Sequence, residues 1–301
     1  MERFIIFALV GLAAQLVDGS LGMGYGLTST TLLLTAGIAP AVASASVHMA
    51  EVVTTAASGI SHRQFGNVDK AMLRKLIVPG AIGAFAGATF LSSLTGEYVR
   101  LYVSGFLLCL GLFILGRFLL LKDARSQAPK APTNRFFIPL GLIGGFFDAS
   151  GGGGWGPIAT PALLSQKGME PRKVIGTVAA SEFAIAVSAT IGFMISLGPD
   201  KINWLWAGAI MLGGIIAAPF AAWIVKSLPT RVLAVIVSGM LIMTNLNAIL
   251  AYTAISGSAK SAIFIALLVI WIPLTIFMIQ KERNISKREK QTLLAAEETS
   301  Y

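Results

Sequence analysis

Four acidic residues interrupt apolar stretches of this sequence and are its strongest candidates for chemistry. They form two pairs, Asp18 with Asp148 and Glu51 with Glu182, whose members recur at nearly the same spacing. No Lys or Arg interrupts these stretches away from their ends. A carboxylate at membrane depth costs at least about 2.5–3.5 kcal/mol, so it usually faces a cavity and marks an ion or proton path. We therefore predict that all four residues couple proton movement.

His48 extends this prediction because it lies one helical turn before Glu51. Ser44 and Thr55 recur at helical spacing on the same polar face. An imidazole beside an intramembrane carboxylate can share or relay a proton. A structural role is the alternative, since Ala179 takes the place of His48 in the second pair and polar side chains commonly bond neighbouring membrane helices.

A glycine-rich motif occurs twice, at 18–26 and at 148–156, and both copies read D-x-S-x-G-x-G-aromatic-G. At the start of a helix, backbone N–H groups that no side chain covers can approach an anion, and the helix dipole adds positive potential. The serine, tyrosine and tryptophan side chains supply further donors. The motif predicts a site for a multi-oxygen anion. Its predicted binding residues are Ser20, Gly22, Gly24, Tyr25, Gly26, Ser150, Gly152, Gly154, Trp155 and Gly156.

Each of these residue types also has a structural explanation. Asp is a preferred N-cap, and Asp18 and Asp148 immediately precede the second helical segment of their motifs. The glycines and aromatic residues can serve close packing. Asn245 and Asn247 have no counterparts in the first half of the chain, so they either make the site asymmetric or bond neighbouring helices.

The elements that hold these residues are predicted to be membrane helices. The 301 residues are 55% hydrophobic and 12% charged, with a mean hydropathy of +0.77, whereas soluble proteins carry roughly a quarter charged residues. The single cysteine, Cys109, excludes disulfides within the chain and Cys-rich metal sites, and we predict neither a metal nor a cofactor. The net charge of +9 lies in loops and in the tail from Lys281 to Lys290, which favours the cytoplasmic bias of membrane proteins over a nucleic-acid partner.

The doubled motif belongs to a longer internal repeat, because the turns at 37–40 and 168–171 also match. Each repeat begins with an apolar segment too long for one span, while the parts on either side of its glycines are too short to cross a core of about 30 Å. We therefore predict a re-entrant hairpin of two half-helices in each repeat. Full spans are predicted at 42–60, 76–95, 99–120, 174–197, 203–225, 231–253 and 260–280.

The positions of Lys and Arg test this topology, because these residues concentrate on the cytoplasmic side of membranes. With two hairpins and an outside N-terminus, 19 of the 23 lie inside and 4 outside. With nine full spans and an inside N-terminus, the division is 12 to 11. The hairpin topology is favoured, and it makes the two repeats enter the membrane from opposite faces, with the binding site near the midplane.

The predicted fold is an all-α polytopic membrane protein of two inverted repeats. Each repeat is a re-entrant broken-helix hairpin plus three transmembrane helices, and one extra C-terminal transmembrane helix follows. The protein is predicted to lie in the inner membrane, with its N-terminus outside and its C-terminus in the cytoplasm. A single membrane domain, 1–301, comprises repeat one at 1–120, a cytoplasmic linker at 121–135, repeat two at 136–253, the extra helix at 260–280 and a cytoplasmic tail at 281–301.

Through the motifs at 18–26 and 148–156 and the turns that follow them, the chain resembles the sulfite exporter TauE/SafE family of membrane transporters over nearly its whole length. The second motif, with its run from Gly151 to Gly154, is closer to the family's usual glycine cluster than the first. The resemblance implies transport of sulfite, organosulfonates or related small sulfur-containing anions across a bacterial inner membrane.

These observations predict a secondary transporter that holds a small anion between the two hairpin tips and is coupled to protons through its carboxylates. An anion channel that uses the same backbone site without coupling is the alternative. An intramembrane enzyme is not expected, since neither an H-E-x-x-H nor a Gly-x-Ser-x-Gly motif occurs. The expected partners are the anion and the lipid bilayer. Internal packing or a homodimer would suit the small-residue faces formed by Gly80, Gly83, Gly87, Gly213 and Gly214.

Overall fold

The protein is predominantly helical in the part that its computed structural model describes, which comprises residues 2–21, 24–94, 98–120, 134–164, 166, 171–202, 204–224 and 230–298. No β-strand occurs within these ranges. Their α-helices are α1 (Glu2–Leu21), α2 (Tyr25–Thr35), α3 (Pro40–Gln64), α4 (Lys70–Ser93), α5 (Tyr98–Leu120), α6 (Asn134–Gly151), α7 (Trp155–Leu164), α8 (Pro171–Leu197), α9 (Trp204–Ile224), α10 (Thr230–Leu250) and α11 (Gly257–Glu298).

Six of the seven predicted spans each correspond to one helix, and the seventh, 260–280, lies within the longer α11. The largest differences within the two repeats are that α4 begins at Lys70 rather than at 76 and that α3 ends at Gln64 rather than at 60. The helices that are both long and apolar enough to cross a membrane cover Lys70–Ser93, Tyr98–Leu119, Lys173–Leu197 and Gly257–Ile285. Shorter apolar helices cover Phe4–Leu16, Trp204–Ala217 and Ala234–Leu250. These lengths are those of a multi-pass membrane protein.

Both glycine motifs interrupt a helix, as predicted. The backbone φ is 120° at Gly24, 78° at Gly152 and 134° at Gly153, values that residues with a side chain rarely adopt. The helices after the breaks, α2 and α7, have 11 and 10 residues and are about 15–17 Å long, well short of a core of about 30 Å. The helices before the breaks, α1 and α6, have 20 and 18 residues and are longer than the predicted half-helices.

The α6–α7 pair begins and ends beside the loop between α3 and α4. Lys75, in the second turn of α4, lies 5.3 Å from the centre of the Phe137 ring at the start of α6. Lys173, at the start of α8, donates a hydrogen bond to the carbonyl of Gly66 in that loop at 2.6 Å. The chain therefore returns along α7 to the end of the molecule from which α6 departs.

The α1–α2 pair begins and ends at the opposite end of the molecule, where α5 and α9 start. Arg100, in the first turn of α5, donates to the carbonyl of Leu34 near the end of α2. Phe7, near the start of α1, packs edge-on against Trp206 at the start of α9, with ring centroids 5.1 Å apart. The α1–α2 pair thus begins and ends close to the starts of α9 and α5.

Helices of one half pack on helices of the other. The first helix of each half lies along the fourth helix of the other half, so that α1 packs on α9 and α6 packs on α4. A side-chain carbon added to Gly213 would lie 1.8 Å from the Ala8 carbonyl oxygen, and one added to Gly83 would lie 2.2 Å from the Leu142 carbonyl oxygen. The predicted small-residue faces therefore serve internal packing, and we propose no homodimer from them.

Replacing Gly83 by Ala is expected to destabilise the protein by about 1–3 kcal/mol, because the new methyl group would force α4 and α6 apart. Gly116→Ala on α5 is the matched control, since a carbon added there meets no atom within 4 Å. The thermal unfolding midpoint in detergent measures both. Equal midpoints for the two variants would contradict the close α4–α6 packing.

The last helix, α11, packs mainly on α10. The Trp271 indole Nε1 donates to the Val235 carbonyl at 2.9 Å, and Met278 is buried beside Val235. Most other large apolar side chains of α11 within Gly257–Ile285 are exposed, which suits a helix that faces lipid.

Two of the predicted boundaries in the second half are refined by the structure. The helix α11 continues to Glu298, so the predicted tail 281–301 is helical over most of its length. The predicted linker 121–135 lies almost wholly outside the described residues, and α6 begins at Asn134 rather than at 136.

Candidate functional site

The two glycine-rich breaks lie against each other. A side-chain carbon added to Gly26 would lie 2.8 Å from the Cα of Gly153, and one added to Gly153 would lie 2.4 Å from the backbone nitrogen of Leu27. The Thr30 hydroxyl donates to the carbonyl of Gly152. The first turn of α2 therefore packs directly on the break before α7, as two half-helix tips that meet require.

Asp18 and Asp148 bind the free N-terminal ends of α2 and α7. The Tyr25 backbone N–H donates to Asp18 Oδ1 at 3.3 Å, and the Trp155 backbone N–H donates to Asp148 Oδ1 at 2.8 Å. The predicted position of the two aspartates is wrong in detail. They lie in the last turns of α1 and α6, and Gly24 occupies the N-cap position of α2. They reach the next helix because the chain reverses direction at the intervening glycines.

His48, on α3, connects the two halves at this point. Its Nδ1 donates to the Ser44 carbonyl at 2.8 Å, because a carbonyl oxygen only accepts. Its Nε2 lies 3.1 Å from Asp148 Oδ2. With hydrogen on Nδ1, a neutral imidazole presents a lone pair at Nε2, so its contact with a carboxylate oxygen requires one proton, on Nε2 or on Oδ2. A hydrogen bond therefore joins α3 to α6.

Glu51 completes this buried cluster, with its Oε2 at 3.9 Å from His48 Nε2. One ligand atom each of His48, Glu51 and Asp148 lies within 4.8 Å of the other two, a spacing that a metal ion could also bridge. A single proton already satisfies the contact between His48 and Asp148, so we assign no metal to the cluster. The cluster is buried, so its side chains are out of contact with water.

Glu182 interacts electrostatically with Glu51 and Asp148 but is not bonded to the cluster. It is partly exposed on α8 and makes no hydrogen bond or ion pair with the other described residues. The equivalence of Glu51 and Glu182 in sequence is therefore not matched by equivalent surroundings.

The side-chain donors of Tyr25 and Trp155 are already occupied. The Tyr25 hydroxyl donates to the Ile210 carbonyl on α9 at 3.3 Å, and the Trp155 indole N–H donates to Ser181 Oγ on α8 at 3.0 Å. These bonds anchor the two half-helices to neighbouring helices, which is the packing role that the sequence left open.

Of the remaining predicted binding residues, Ser150 and Gly154 face α5. The Ser150 hydroxyl lies 3.2 Å from the Tyr102 hydroxyl, and a carbon added to Gly154 would lie 3.3 Å from the Phe106 ring. Gly22 and the side chain of Ser20 lie outside what the structure describes.

Several backbone donors of the site lack an acceptor among the described residues. The first N–H group of each half-helix is taken by an aspartate, but the N–H groups of Gly26 and Leu27 on α2 and of Gly156 on α7 are not. Pro157, which follows Gly156, has no N–H group to offer. Within the described residues, α2 therefore has two such N–H groups and α7 has one.

The hydroxyl-bearing residues of α2 were not among the predicted site residues. The run from Thr28 to Thr31 is wholly buried, and the hydroxyls of Thr28 and Ser29 have no hydrogen-bond partner among the described residues. Four consecutive Ser or Thr residues directly after a glycine motif were the available signal. Asn245 donates to Thr31 Oγ1 at 3.2 Å, so it bonds α10 to α2, whereas Asn247 is exposed.

Comparison with known proteins places this site in context. The family model described as "Sulfite exporter TauE/SafE" matches residues 7–248, which include both glycine motifs and end before α11. The chain is 54% identical over 290 residues to "Probable membrane transporter protein YtnM" of Bacillus subtilis (strain 168), covering 95% of this chain and 97% of that protein. It is 23% identical over 262 residues to "Probable membrane transporter protein YunE" of the same organism, covering 80% and 95%. No solved structure gives a significant match.

The family match spans most of the chain and contains the whole cluster around His48. The two relatives are both described as membrane transporters, which agrees with the apolar helices that this chain contains. The chain therefore belongs to the sulfite exporter TauE/SafE family and is a membrane transporter rather than an enzyme.

Proposed function

We propose that this transporter moves a small sulfur-containing anion, sulfite or an organosulfonate, across the inner membrane and couples that movement to protons. The observation that best supports this proposal is that two helix N-termini meet beside a buried cluster of two carboxylates and an imidazole. Helix N-termini attract anions, and such a cluster exchanges protons. The family's description supports a sulfur-containing anion.

Two inverted repeats with re-entrant hairpins form the architecture of this proposal. A segment that leaves and returns at one end of a membrane bundle does not cross the membrane. The contacts of Lys173 with Gly66 and of Arg100 with Leu34 support such a path for α6–α7 and for α1–α2, at opposite ends. The exchange of helix partners between the halves is expected for repeats related by a two-fold axis in the membrane plane.

The orientation follows from charge. In the proposal, the end that carries the α3–α4 loop faces the cytoplasm, so the N-terminus is outside and the C-terminus is inside. The cytoplasmic side of a membrane protein is rich in Lys and Arg. Cations clustered at that end, in and around the loop and at the starts of α4, α6 and α8, include Arg63, Lys70, Arg74, Lys75, Arg135 and Lys173.

The anion is proposed to bind where the half-helix tips meet. The N–H groups of Gly26, Leu27 and Gly156 supply donors, and the dipoles of α2 and α7 favour negative charge. Because Gly153 packs on the backbone at Gly26 and Leu27, the tips must separate for the anion to enter. The other residues of the predicted binding set shape the two tips around it.

Coupling is assigned to the carboxylates and to His48. The proton that the contact between His48 and Asp148 requires ties a helix of the first half to a helix of the second. Its gain or loss changes both the charge beside the tips and the bond between the halves. Glu51 extends this cluster, and Asp18 and Glu182 are its proposed counterparts on the other broken helix pair and on α8.

Purified protein in liposomes tests the proposal. Sulfite is expected to accumulate against its own gradient when a pH gradient is imposed, with a rate that saturates with sulfite. In detergent, sulfite or an organosulfonate is expected to raise the thermal unfolding midpoint, since a ligand that binds only the folded state stabilises it. Flux that only dissipates the sulfite gradient would assign an anion channel instead, and the absence of both flux and stabilisation would reject the proposal.

A further inference from the structure

The Glu51 side chain lies against the first turn of α2. Its Oε1 is 2.9 Å from the position that a Cβ on Gly26 would occupy, space that exists only because residue 26 is glycine. Its Oε2 has no hydrogen-bond partner among the described residues, although Glu51 is only 1% exposed. Burial of a carboxylate oxygen without a hydrogen bond is costly, so this arrangement calls for an explanation other than packing.

The same turn of α2 carries four donors without acceptors in the described part of the chain. Two are the backbone N–H groups of Gly26 and Leu27. The other two are the hydroxyls of Thr28 and Ser29, which are 1% and 0% exposed. Helical side chains lean toward the N-terminus, so these hydroxyls lie over the first turn. With the helix dipole, this set of donors suits an oxyanion.

Most of the charged side chains that face Glu51 are acidic, like Glu51 itself. Asp18 on α1, Asp148 on α6 and Glu182 on α8 interact with it electrostatically, and its other titratable neighbours are His48 on α3 and Tyr25 on α2. The helix α9 has no titratable side chain over 204–217, and α4 and α5 carry their Lys and Arg near their ends. An anion beside a charged Glu51 would therefore meet strong repulsion, which a proton on Glu51 removes.

We propose that the Glu51 carboxylate and the transported anion are alternative occupants of the first turn of α2, so that the anion binds there when Glu51 carries a proton. The inference rests on the proposed function and gives it a coupling rule of one proton with one anion. A charged Glu51, whose Oε1 lies beside the first turn of α2 at Gly26, repels a second anion there. Once the tips separate, a protonated Glu51 leaves the donors at Gly26 and Leu27 and the hydroxyls of Thr28 and Ser29 to the substrate.

The described residues of the second half do not repeat this arrangement. In the first turn of α7, Pro157 lacks an N–H group, and Ile158 and Ala159 replace the residues that bear hydroxyls in α2. Glu182, which corresponds to Glu51, makes no hydrogen bond or ion pair with the other described residues. The donors that suit an oxyanion thus lie mainly on the first half. The hydrogen bond between His48 and Asp148 connects the two halves.

The experiment measures the dissociation constant of sulfoacetate, whose charge is constant above about pH 6, for the full chain in detergent between pH 6 and pH 8.5. For the wild type, it is expected to rise toward tenfold per pH unit above the pH at which Glu51 loses its proton, because binding and protonation are linked. Glu51→Gln is expected to bind with the low-pH affinity at every pH. Glu282→Gln, in the ion pair with Arg231, is the matched control and should keep the wild-type slope.

Thr28→Val and Ser29→Ala provide an independent check, because Val keeps the shape of Thr and neither change touches Glu51. Each is expected to weaken binding about two- to tenfold at all pH values, the effect of one lost hydrogen bond. A Glu51→Gln variant that keeps the wild-type pH dependence would overturn the inference while leaving the proposed function intact, as would unchanged affinity in both hydroxyl variants. A wild type that binds no sulfoacetate or sulfite at any pH would reject the proposed function and the inference together.

Discussion

Glu51→Gln is expected to abolish the accumulation of sulfite driven by a pH gradient. Gln has the shape of Glu but cannot carry a proton, so the variant has no means of linking the two fluxes at this position. With one proton per anion, a gradient of one pH unit, about 1.4 kcal/mol, sustains about tenfold accumulation. The ratio is expected to fall to about one in the variant. The measurement is the sulfite content of proteoliposomes after a pH jump.

Two further measurements show whether such a loss is specific. Exchange of sulfite down its own gradient should persist in Glu51→Gln, which establishes that the protein is folded and that its anion site is intact. The same replacement at Glu182 is also expected to abolish pH-driven flux, whereas Glu282→Gln should accumulate sulfite like the wild type. Undiminished accumulation in Glu51→Gln would reject a coupling role for this carboxylate.

Among single Gly→Ala replacements in the site, Gly153→Ala is expected to destabilise the protein most. The added carbon would lie 2.4 Å from the backbone nitrogen of Leu27 and 2.5 Å from the carbonyl carbon of Gly26, and neither atom can move without shifting α2. The φ of 134° at Gly153 adds backbone strain. Together these effects are expected to cost about 3 kcal/mol or more and to eliminate sulfite transport. Thermal unfolding in detergent and flux in liposomes measure them.

Two alanine variants separate the causes. Gly37→Ala has the strained φ of 85° but meets no atom within 4 Å, so it should lose only about 1–2 kcal/mol. Gly105→Ala lies within α5 with open space around it and should be nearly neutral. If Gly153→Ala were no less stable than Gly37→Ala, the close contact between the two tips would be disproved.

The helices and their breaks could be predicted because their causes are local in sequence. Long apolar runs form helices in a membrane because their backbone polar groups need partners there. The glycines at 22–26 and 152–156 favour the end of one helix and the start of another, independently of the tertiary structure around them. The two motifs also predicted that the tips would meet, since repeats of this kind usually place their broken helices together. The contact between Gly26 and Gly153 confirms that juxtaposition.

The asymmetry of the site was harder to predict, because it depends on contacts between residues 100 or more positions apart in the sequence. That His48 faces Asp148 rather than Asp18 follows from how α3 packs on α6, which no pattern within α3 encodes. Asp18 and Asp148 do bind the N-terminal ends of α2 and α7, but from the ends of the preceding helices rather than from the predicted N-cap positions. Spacing alone does not show how far a side chain reaches when the chain reverses direction at glycines. The pairing of Glu51 with Glu182 by sequence likewise concealed their different surroundings.

The exchange of helix partners between the halves has a consequence for how the protein is made. When the ribosome has completed α1 to α5, the glycine-lined surfaces of α1 and α4 still await α9 and α6, which have not been synthesised. The nascent first half must therefore remain in the lipid as loosely associated segments, and its tertiary structure forms only after the second half has been inserted. If the chain is divided within 121–133 and expressed as two fragments, each fragment should accordingly be degraded in the cell unless the other is coexpressed.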